Sequence, residues 1–105
     1  MKLFAFHCRD GEHSLRLREE RLQPHLDHVE RNIDRYAVAG PLKDDDRTVG
    51  SLLVIRAADI DKARAFFETD PYFDAGVWQA IRVSEFRAVA GEWVGGARWK
   101  GQGGD

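Results

Sequence analysis

The segment "SLLVIRAADIDKARAFFETDPY" (residues 51–72) contains both kinds of secondary structure from which the fold is built. Its first seven residues are mostly aliphatic and β-branched, which is typical of a buried strand. Asp59 then stands where a helix N-cap is expected, because its carboxylate can accept a backbone N–H of the first turn. The apolar residues that follow recur at helical spacing along one side: Ile60, Ala63 and Phe67. The helix should stop at Asp70, since the residue before a proline is disfavoured in helical conformation.

Three other segments are predicted to be strands. The apolar run "KLFAFHC" (residues 2–8) predicts a first strand that is buried on both faces. The run "RYAVAGP" (residues 35–41) predicts a second strand that its Gly-Pro end stops, and "VWQAIRVSEFRAV" (residues 77–89) alternates as a fourth strand does. The polar run "KDDDRTVG" (residues 43–50) should form the long loop of a hairpin between the second and third strands.

A helix is expected between the first two strands. In "RLQPHLDHVE" (residues 21–30), Pro24 suits the first helical position, where its missing N–H is not needed, so the helix should begin near Gln23. Its apolar stripe is expected to consist of Leu26, Val29 and Ile33. The preceding run "DGEHSLRLREERL" (residues 10–22) predicts a turn or two of helix capped by Ser14, with charges that mostly form a solvated face.

The resulting order, β-α-β-β-α-β, predicts an α+β, ferredoxin-like sandwich with a four-stranded antiparallel sheet and two helices on one face. Because the elements alternate in direction, one edge of the sheet should collect residues that are remote in sequence. They are His7, Cys8, Pro24, His25, Gly40, Pro41, Gly50, Ser51, Asp70, Pro71 and Tyr72. One domain is expected over residues 1–90, followed by a tail over residues 91–105 that contains glycine and tryptophan.

Composition limits the classes of partner. The chain has 105 residues, 43% of them hydrophobic, and a formal net charge of −2 with the two signs interspersed. No basic surface for nucleic acid or for an anionic membrane is expected. Cys8 has no second cysteine to pair with, and the apolar stretch at the N-terminus is too short for a signal peptide, so we expect a cytoplasmic location.

Two residues of the predicted edge suggest acid–base chemistry. A histidine in the first turn of a helix, as expected for His25, lies near the positive end of the helix dipole, which favours the neutral imidazole. Asp70 could bond the other ring nitrogen and stabilise the imidazolium formed during turnover. The residues alone leave two interpretations open. The two side chains form a general-base pair, or His25 is a surface or capping residue and Asp70 only ends its helix.

Other candidate sites have weaker support. A metal could be held by His25 and His28 together with Asp27 or His7, but no compact Cys/His cluster exists, and we predict no metal and no cofactor. Cys8 could act as a nucleophile, although a lone cysteine in a strand is more often a small packed hydrophobe. The indoles of Trp93 and Trp99 could cover the core, form a lid or contact a second copy, and we favour the dimer contact.

Five short motifs occur in an order that resembles the YciI-like (YCII-related) family over roughly residues 2–86: "QPHL" (23–26), "AGP" (39–41), "GS" (50–51), "DPY" (70–72) and "AGV" (75–77). The resemblance implies a homodimeric ferredoxin-like protein with His25 and Asp70 as a catalytic pair. It also implies that Ser51, Tyr72 and Pro41 bind the substrate. The first motif departs from the family pattern, because Gln23 stands where an arginine is usual and Pro24 directly precedes the histidine.

The function expected from the residues and the resemblance is a cofactor-independent lyase or isomerase. His25 would abstract a proton from a small cyclic substrate, as in the dehydrochlorination of a chlorinated hydroxyquinol by a characterised relative. The alternative is a dimeric module that binds or senses a small molecule without transforming it, because one fold can host both uses.

Overall fold

A computed structural model describes residues 1–100 of the chain. The strands and helices follow in the order β1 (Lys2–Asp10), α1 (Ser14–Glu20), α2 (Leu22–Arg31), β2 (Tyr36–Asp44), β3 (Arg47–Ala57), α3 (Ile60–Phe67), α4 (Pro71–Asp74), β4 (Trp78–Phe86), β5 (Ala90–Gly91) and β6 (Gly96–Ala97). Single 3-10 turns cover Ile33–Arg35, Glu92–Val94 and Arg98–Lys100. Residues 101–105, the end of the predicted tail, lie outside the described residues.

The main sheet has the strand order β2-β3-β1-β4, and every neighbouring pair is antiparallel. Helices pack on it, so the predicted α+β, ferredoxin-like fold is confirmed. The core lies between the sheet and the helices, where Phe6 of β1 stacks on Phe67 of α3 with ring centroids 4.4 Å apart. Each of these rings, almost fully buried, contributes about 1.5–3 kcal/mol to stability.

The first strand is buried on one face only, contrary to the sequence prediction. Phe4, Phe6 and Cys8 are buried, whereas His7 on the alternate face is exposed. Successive side chains of a strand point to opposite faces, and only one face of this sheet carries helices. His7 therefore lies away from the helix layer.

The prediction that Gly40 and Pro41 stop the second strand is wrong. β2 continues through both residues to Asp44, and only two residues connect it to β3. β2 lies at the edge of the sheet, where a proline can be tolerated because one side of an edge strand needs no donor. The hairpin is confirmed, but its loop is short, and Ser51 lies within β3, opposite Cys8 on one side and Pro41 on the other.

Two helices lie between β1 and β2, as the sequence predicts, and α2 begins at Leu22, one residue before the predicted Gln23. Pro24 is the third residue of α2, and a proline ring clashes with the carbonyl group four residues earlier, here that of Glu20, which ends α1. The chain therefore breaks at Arg21. The predicted apolar stripe is also wrong in two positions, because Leu26 and Ile33 are 44% and 63% exposed.

The second predicted helix has the predicted N-cap residue but ends earlier than predicted. Asp59 accepts the Lys62 N–H at 2.8 Å, as expected of an N-cap, and α3 ends at Phe67. Asp70 begins a further helical turn, since its carboxylate accepts the Tyr72 N–H at the N-terminus of α4. Asp70 thus caps α4 and does more than end a helix.

The segment after β4 forms a small two-stranded sheet, in which Ala90 pairs with Ala97 and Gly91 with Gly96. Trp93 and Trp99 are 83% and 73% exposed, so neither indole covers the core. No helix within residues 1–100 is long and apolar enough to span a bilayer.

Candidate active site

A cavity of about 490 Å³ lies beside α1, α2 and the strands β2 and β3. This volume falls within the range of about 300–1,000 Å³ that is usual for small-molecule sites. Its wall consists of Leu15, Arg18, Glu19, Leu22, His25, Leu26, Val29, Ala39, Gly40, Pro41, Thr48, Ser51, Leu53 and Tyr72. Four of the five residues predicted for the site therefore line one cavity. The fifth, Asp70, is buried and bonded to His25.

His25 and Asp70 are joined by a hydrogen bond of 2.8 Å between Nδ1 and Oδ1. The Asp70 side chain is 2% exposed and that of His25 is 16% exposed. A carboxylate can only accept, so Nδ1 carries a hydrogen and donates it to Asp70. In the neutral ring, Nε2 is then the bare nitrogen, and the bond to Asp70 is the one side-chain hydrogen bond of the His25 ring in the described part of the protein. An imidazole in this tautomer can accept a proton at Nε2.

The Asp70 carboxylate is held asymmetrically. Its Oδ1 accepts both the His25 Nδ1–H and the Tyr72 backbone N–H, at 2.8 and 2.9 Å. Oδ2 is buried and has no hydrogen-bond partner within residues 1–100. A buried negative charge with so few donors favours a positive charge on its neighbour. Asp70 therefore stabilises the imidazolium that would form when His25 takes a proton.

Tyr72 fixes the plane of the imidazole. Its ring stacks on that of His25 with centroids 3.8 Å apart and 5° between the planes. The hydroxyl group donates to the Arg18 carbonyl at 3.3 Å, and burial raises the pKa of this phenol. Tyr72 is thus a neutral, flat support that holds the His25 ring against rotation.

Ser51 is a hydrogen-bond acceptor for two protein groups. Its Oγ accepts from Arg18 Nη2 at 2.9 Å and from the Trp78 indole N–H at 3.1 Å. Sequence reasoning did not identify Trp78, because nothing in an alternating strand distinguishes an indole that packs from one that also donates.

Arg18 is the principal residue that sequence analysis missed. Its Nε and Nη2 donate to the two oxygens of Asp10 at 2.8 and 2.9 Å, and Nη2 also donates to the Gly50 carbonyl at 3.0 Å. The side chains of this ion pair are 12% and 9% exposed. The charge of Arg18 therefore belongs to the site, whereas the sequence placed it on a solvated face.

Backbone geometry in β1 and β3 makes room for this ion pair. The register of β1 against β4 shifts between Arg9 and Asp10, which is the signature of a bulge. At Gly50 a Cβ atom would lie 2.1 Å from the Cys8 carbonyl oxygen, so only glycine permits this approach of the two strands. The Gly50 carbonyl is in turn an acceptor for Arg18.

A protein-family model that describes the YCII-related domain matches residues 2–87. The chain belongs to the YCII-related domain family. Among solved structures, the fold of this YCII-related protein is similar to that of 5-chloro-2-hydroxyhydroquinone dehydrochlorinase from Burkholderia phenoliruptrix in complex with 2,5-dihydroxybenzoquinone. The sequences are 30% identical, the TM-score is 0.71, and the alignment covers 86% of this chain and 96% of the other. No curated protein matches the sequence.

The family resemblance noted from the sequence is thereby confirmed. The YCII-related domain contains every residue that lines the cavity, as well as Asp70 and Asp10 behind it. The usual arginine of the first family motif is replaced by Gln23, which is exposed and donates to Asp27 on the surface of α2. Arg18, which precedes Gln23 in the chain and lies on α1, supplies the positive charge of the cavity wall.

Cys8 and His28, two other residues of this YCII-related protein that were considered as functional candidates, are both buried. Cys8 is fully buried, and burial raises the pKa of its thiol from 9.0 to about 12, which disfavours a thiolate nucleophile. His28, considered above as a metal ligand, is also buried, and burial lowers its pKa. Across residues 1–100, no three His, Cys, Asp or Glu side chains are grouped as metal ligands would be.

Proposed function

We propose that this protein is a lyase-type enzyme in which His25 removes a proton from a small cyclic substrate without a cofactor. The observation that carries the proposal is the 2.8 Å bond between His25 Nδ1 and Asp70 Oδ1 beside an open cavity. A positioned base of this kind typically contributes about 10²–10⁴ to a rate. The likeness to a dehydrochlorinase supports elimination as the class of reaction.

The proposed steps conserve atoms and electrons. Nε2 of His25 takes a proton from a hydroxyl group or an acidic carbon of the ring, and Asp70 stabilises the imidazolium. For a hydroxyl proton, keto–enol tautomerisation of the ring first places a hydrogen on the carbon that carries the leaving group. The electron pair of the O–H bond then forms a carbonyl group, the adjacent ring double bond shifts towards that carbon, and the leaving group, such as chloride, departs with its bonding electrons. For a proton on an acidic carbon, the C–H electron pair forms the new double bond as the leaving group departs. The proton then passes from His25 to solvent. In an isomerisation no leaving group departs, and His25 returns the same proton to another carbon of the substrate.

The cavity suits a flat ring with polar substituents. Pro41, Leu53 and Val29 provide apolar wall, and Ser51 provides a hydroxyl group near the sheet. We propose that Ser51 orients a substrate oxygen, while Tyr72 acts by holding the imidazole. The dihydroxybenzoquinone bound by the neighbouring dehydrochlorinase is a ring of this kind.

The test is release of chloride from 5-chloro-2-hydroxyhydroquinone and related halogenated hydroxyarenes by the purified protein. His25→Asn should abolish turnover. It also leaves the buried Asp70 carboxylate with the Tyr72 N–H as its one remaining donor among the described residues, so the free energy of unfolding should fall by about 1–3 kcal/mol, and turnover is measured on protein shown to be folded. His13→Asn is the matched control, since His13 is exposed and makes no capping bond. If His25→Asn is as active as His13→Asn, the proposal is wrong. Undiminished ligand binding with no turnover by the native protein would favour the alternative, a binding or sensing module.

We also propose that the protein works as a homodimer. Large apolar side chains are exposed near the C-terminal segment, with Phe86 at 46%, Val89 at 44% and Trp93 at 83%. Sedimentation of the native protein should give the mass of two chains, and Trp93→Ser should shift it towards one. A native protein that sediments as a monomer at high concentration would contradict this part of the proposal.

A further inference from the structure

Ser51 has one hydrogen-bonding capacity left, and it is that of a donor. A serine hydroxyl has two lone pairs and one hydrogen. Both lone pairs are used, by Arg18 Nη2 and by Trp78 Nε1. Its own hydrogen has no acceptor among the described residues, and Ser51 lines the cavity. The protein thus leaves the hydroxyl group able only to donate to a ligand.

Arg18 also has donors to spare on the cavity side. Its Nε and Nη2 have three hydrogens between them and make four contacts with Asp10, Gly50 and Ser51, so one hydrogen of Nη2 is shared between two acceptors. Its Nη1 carries two hydrogens, and outside these contacts the Tyr72 hydroxyl group is the one acceptor of the Arg18 side chain within residues 1–100, so at least one hydrogen is left for a ligand although the side chain is only 12% exposed. Contacts with three residues fix the guanidinium plane, so the two hydrogens of Nη1 have a defined direction.

The charge that faces the interior of the cavity is positive. Asp10, which neutralises Arg18, is not part of the cavity wall and lies behind the guanidinium group. Among the described residues that line the cavity, Glu19 is the one with a carboxylate, and its side chain is exposed at the rim of the cavity. Most of the remaining wall is apolar, so an anionic oxygen that enters loses water and gains most from a charged donor.

We infer that Arg18 Nη1 and the Ser51 hydroxyl together form an oxyanion-binding site, which makes the cavity select planar rings that carry an ionised oxygen. The inference rests on the proposed function, because it assigns the class of ligand for the same cavity. Arg18 is a specificity-determining residue in this scheme: it binds a phenolate or enolate oxygen from the sheet side, while His25 acts from α2. A neutral ring of the same shape should bind less tightly.

The test compares two probes with the same ring and nitro group, 4-nitrophenol, which can ionise, and its methyl ether 4-nitroanisole, which cannot. The native protein should bind nitrophenolate at least about tenfold tighter than the methyl ether, which corresponds to about 1.4 kcal/mol. It should also increase the phenolate absorption of bound nitrophenol at a pH where free nitrophenol is largely protonated. Arg18→Gln should lose both effects and keep its affinity for nitroanisole within about twofold.

Two further variants keep the test decisive if Arg18→Gln folds poorly. The double variant Asp10→Asn/Arg18→Gln removes both charges of the buried pair, leaves no charge unpaired, and should lose the same preference. Arg16→Gln is the matched control, because Arg16 lies on the same helix and pairs only with Glu20 at the surface. A preference that persists in the folded double variant, or that is absent from the native protein, would overturn the assignment.

The outcome for His25→Asn separates this inference from the proposed function. The variant should keep the preference for nitrophenolate, since His25 is not the anion-binding group. Preference that depends on Arg18, together with no chloride release by the native protein, would leave the oxyanion site standing and remove the lyase proposal. Chloride release that survives Arg18→Gln with unchanged KM would leave the lyase proposal standing and remove the oxyanion site.

Discussion

Replacing Asp70 by asparagine should separate its structural role from its chemical one. The two side chains have nearly the same shape, and asparagine caps helices about as well as aspartate, so the bond from the Tyr72 N–H can persist. What disappears is the negative charge beside His25. Both side chains are largely buried, so solvent screens the lost interaction little.

The magnitudes of the two effects of Asp70→Asn should differ widely. Replacing a charge-assisted hydrogen bond by a neutral one costs about 1 kcal/mol. The amide nitrogen that takes the place of the buried Oδ2 is also without a partner among the described residues, but it carries no charge and is therefore buried at a lower cost. The free energy of unfolding should therefore fall by less than about 1.5 kcal/mol. Unit charges about 4 Å apart interact with about 4 kcal/mol at an effective dielectric constant of about 20. Losing that stabilisation of the imidazolium should lower kcat roughly a thousandfold, at about 1.4 kcal/mol for each factor of ten.

The assay pairs chloride release with urea unfolding of the same preparations. Asp27→Asn is the matched control, because Asp27 is exposed and accepts only from Gln23 on the surface of α2. The control should change kcat less than twofold. A folded Asp70→Asn protein that keeps more than a tenth of native kcat would refute the reasoning, as would a loss that only follows the unfolded fraction.

Three further predictions concern stability. In urea titrations, Gly50→Ala should lower the free energy of unfolding by at least about 2 kcal/mol relative to Gly40→Ala. A Cβ at Gly50 would lie 2.1 Å from a carbonyl oxygen, whereas a Cβ at Gly40 would meet nothing within 4 Å. Equal values for the two variants would disprove the steric argument. Burial raises the pKa of Cys8 from 9.0 to about 12, so the unfolded thiol loses its proton first, and stability should fall as the pH rises above about 9. Cys8→Ala should show a shallower fall between pH 9 and 10.5. Burial lowers the pKa of His28 from 6.5, so the unfolded state binds the proton more readily and stability should fall as the pH drops below about 6.5. His28→Gln should reduce that fall, and an identical pH profile would contradict the assignment.

The order of strands and helices could be predicted because periodicity and caps are local. The alternation in residues 77–89 and the Asp59 cap needed no knowledge of distant parts of the chain. The prediction that Pro41 ends a strand was wrong because its tolerance depends on β2 lying at the edge of the sheet, and strand order is a tertiary property. Likewise, His28 is buried where Leu26 was expected, because the buried side of α2 is set by its contacts with other helices, where His28 stacks on Phe66 of α3.

The candidate site likewise contains residues that could be predicted from the sequence and residues that could not. His25 and Asp70 could be proposed because their elements end or begin at one edge in any β-α-β-β-α-β chain. Arg18 could not, since it stands in a run of charged residues and only its contacts with Asp10 distinguish it from Arg16. The role of Ser51 as an obligate donor depends on Trp78, a residue 27 positions away along the chain. Such pairings are determined by packing and have no signature in local sequence.

The central claim is that Asp70 fixes the proton of the neutral His25 ring on Nδ1 and leaves Nε2 to act as the base. Two-bond ¹H–¹⁵N NMR of the imidazole at about pH 8, where an ordinary histidine is neutral, measures this directly, with His25→Asn to assign the signals. We expect a protonated Nδ1 and a bare Nε2 in the native protein, and a mixture of tautomers in Asp70→Asn. A native His25 whose hydrogen resides on Nε2 would contradict the claim.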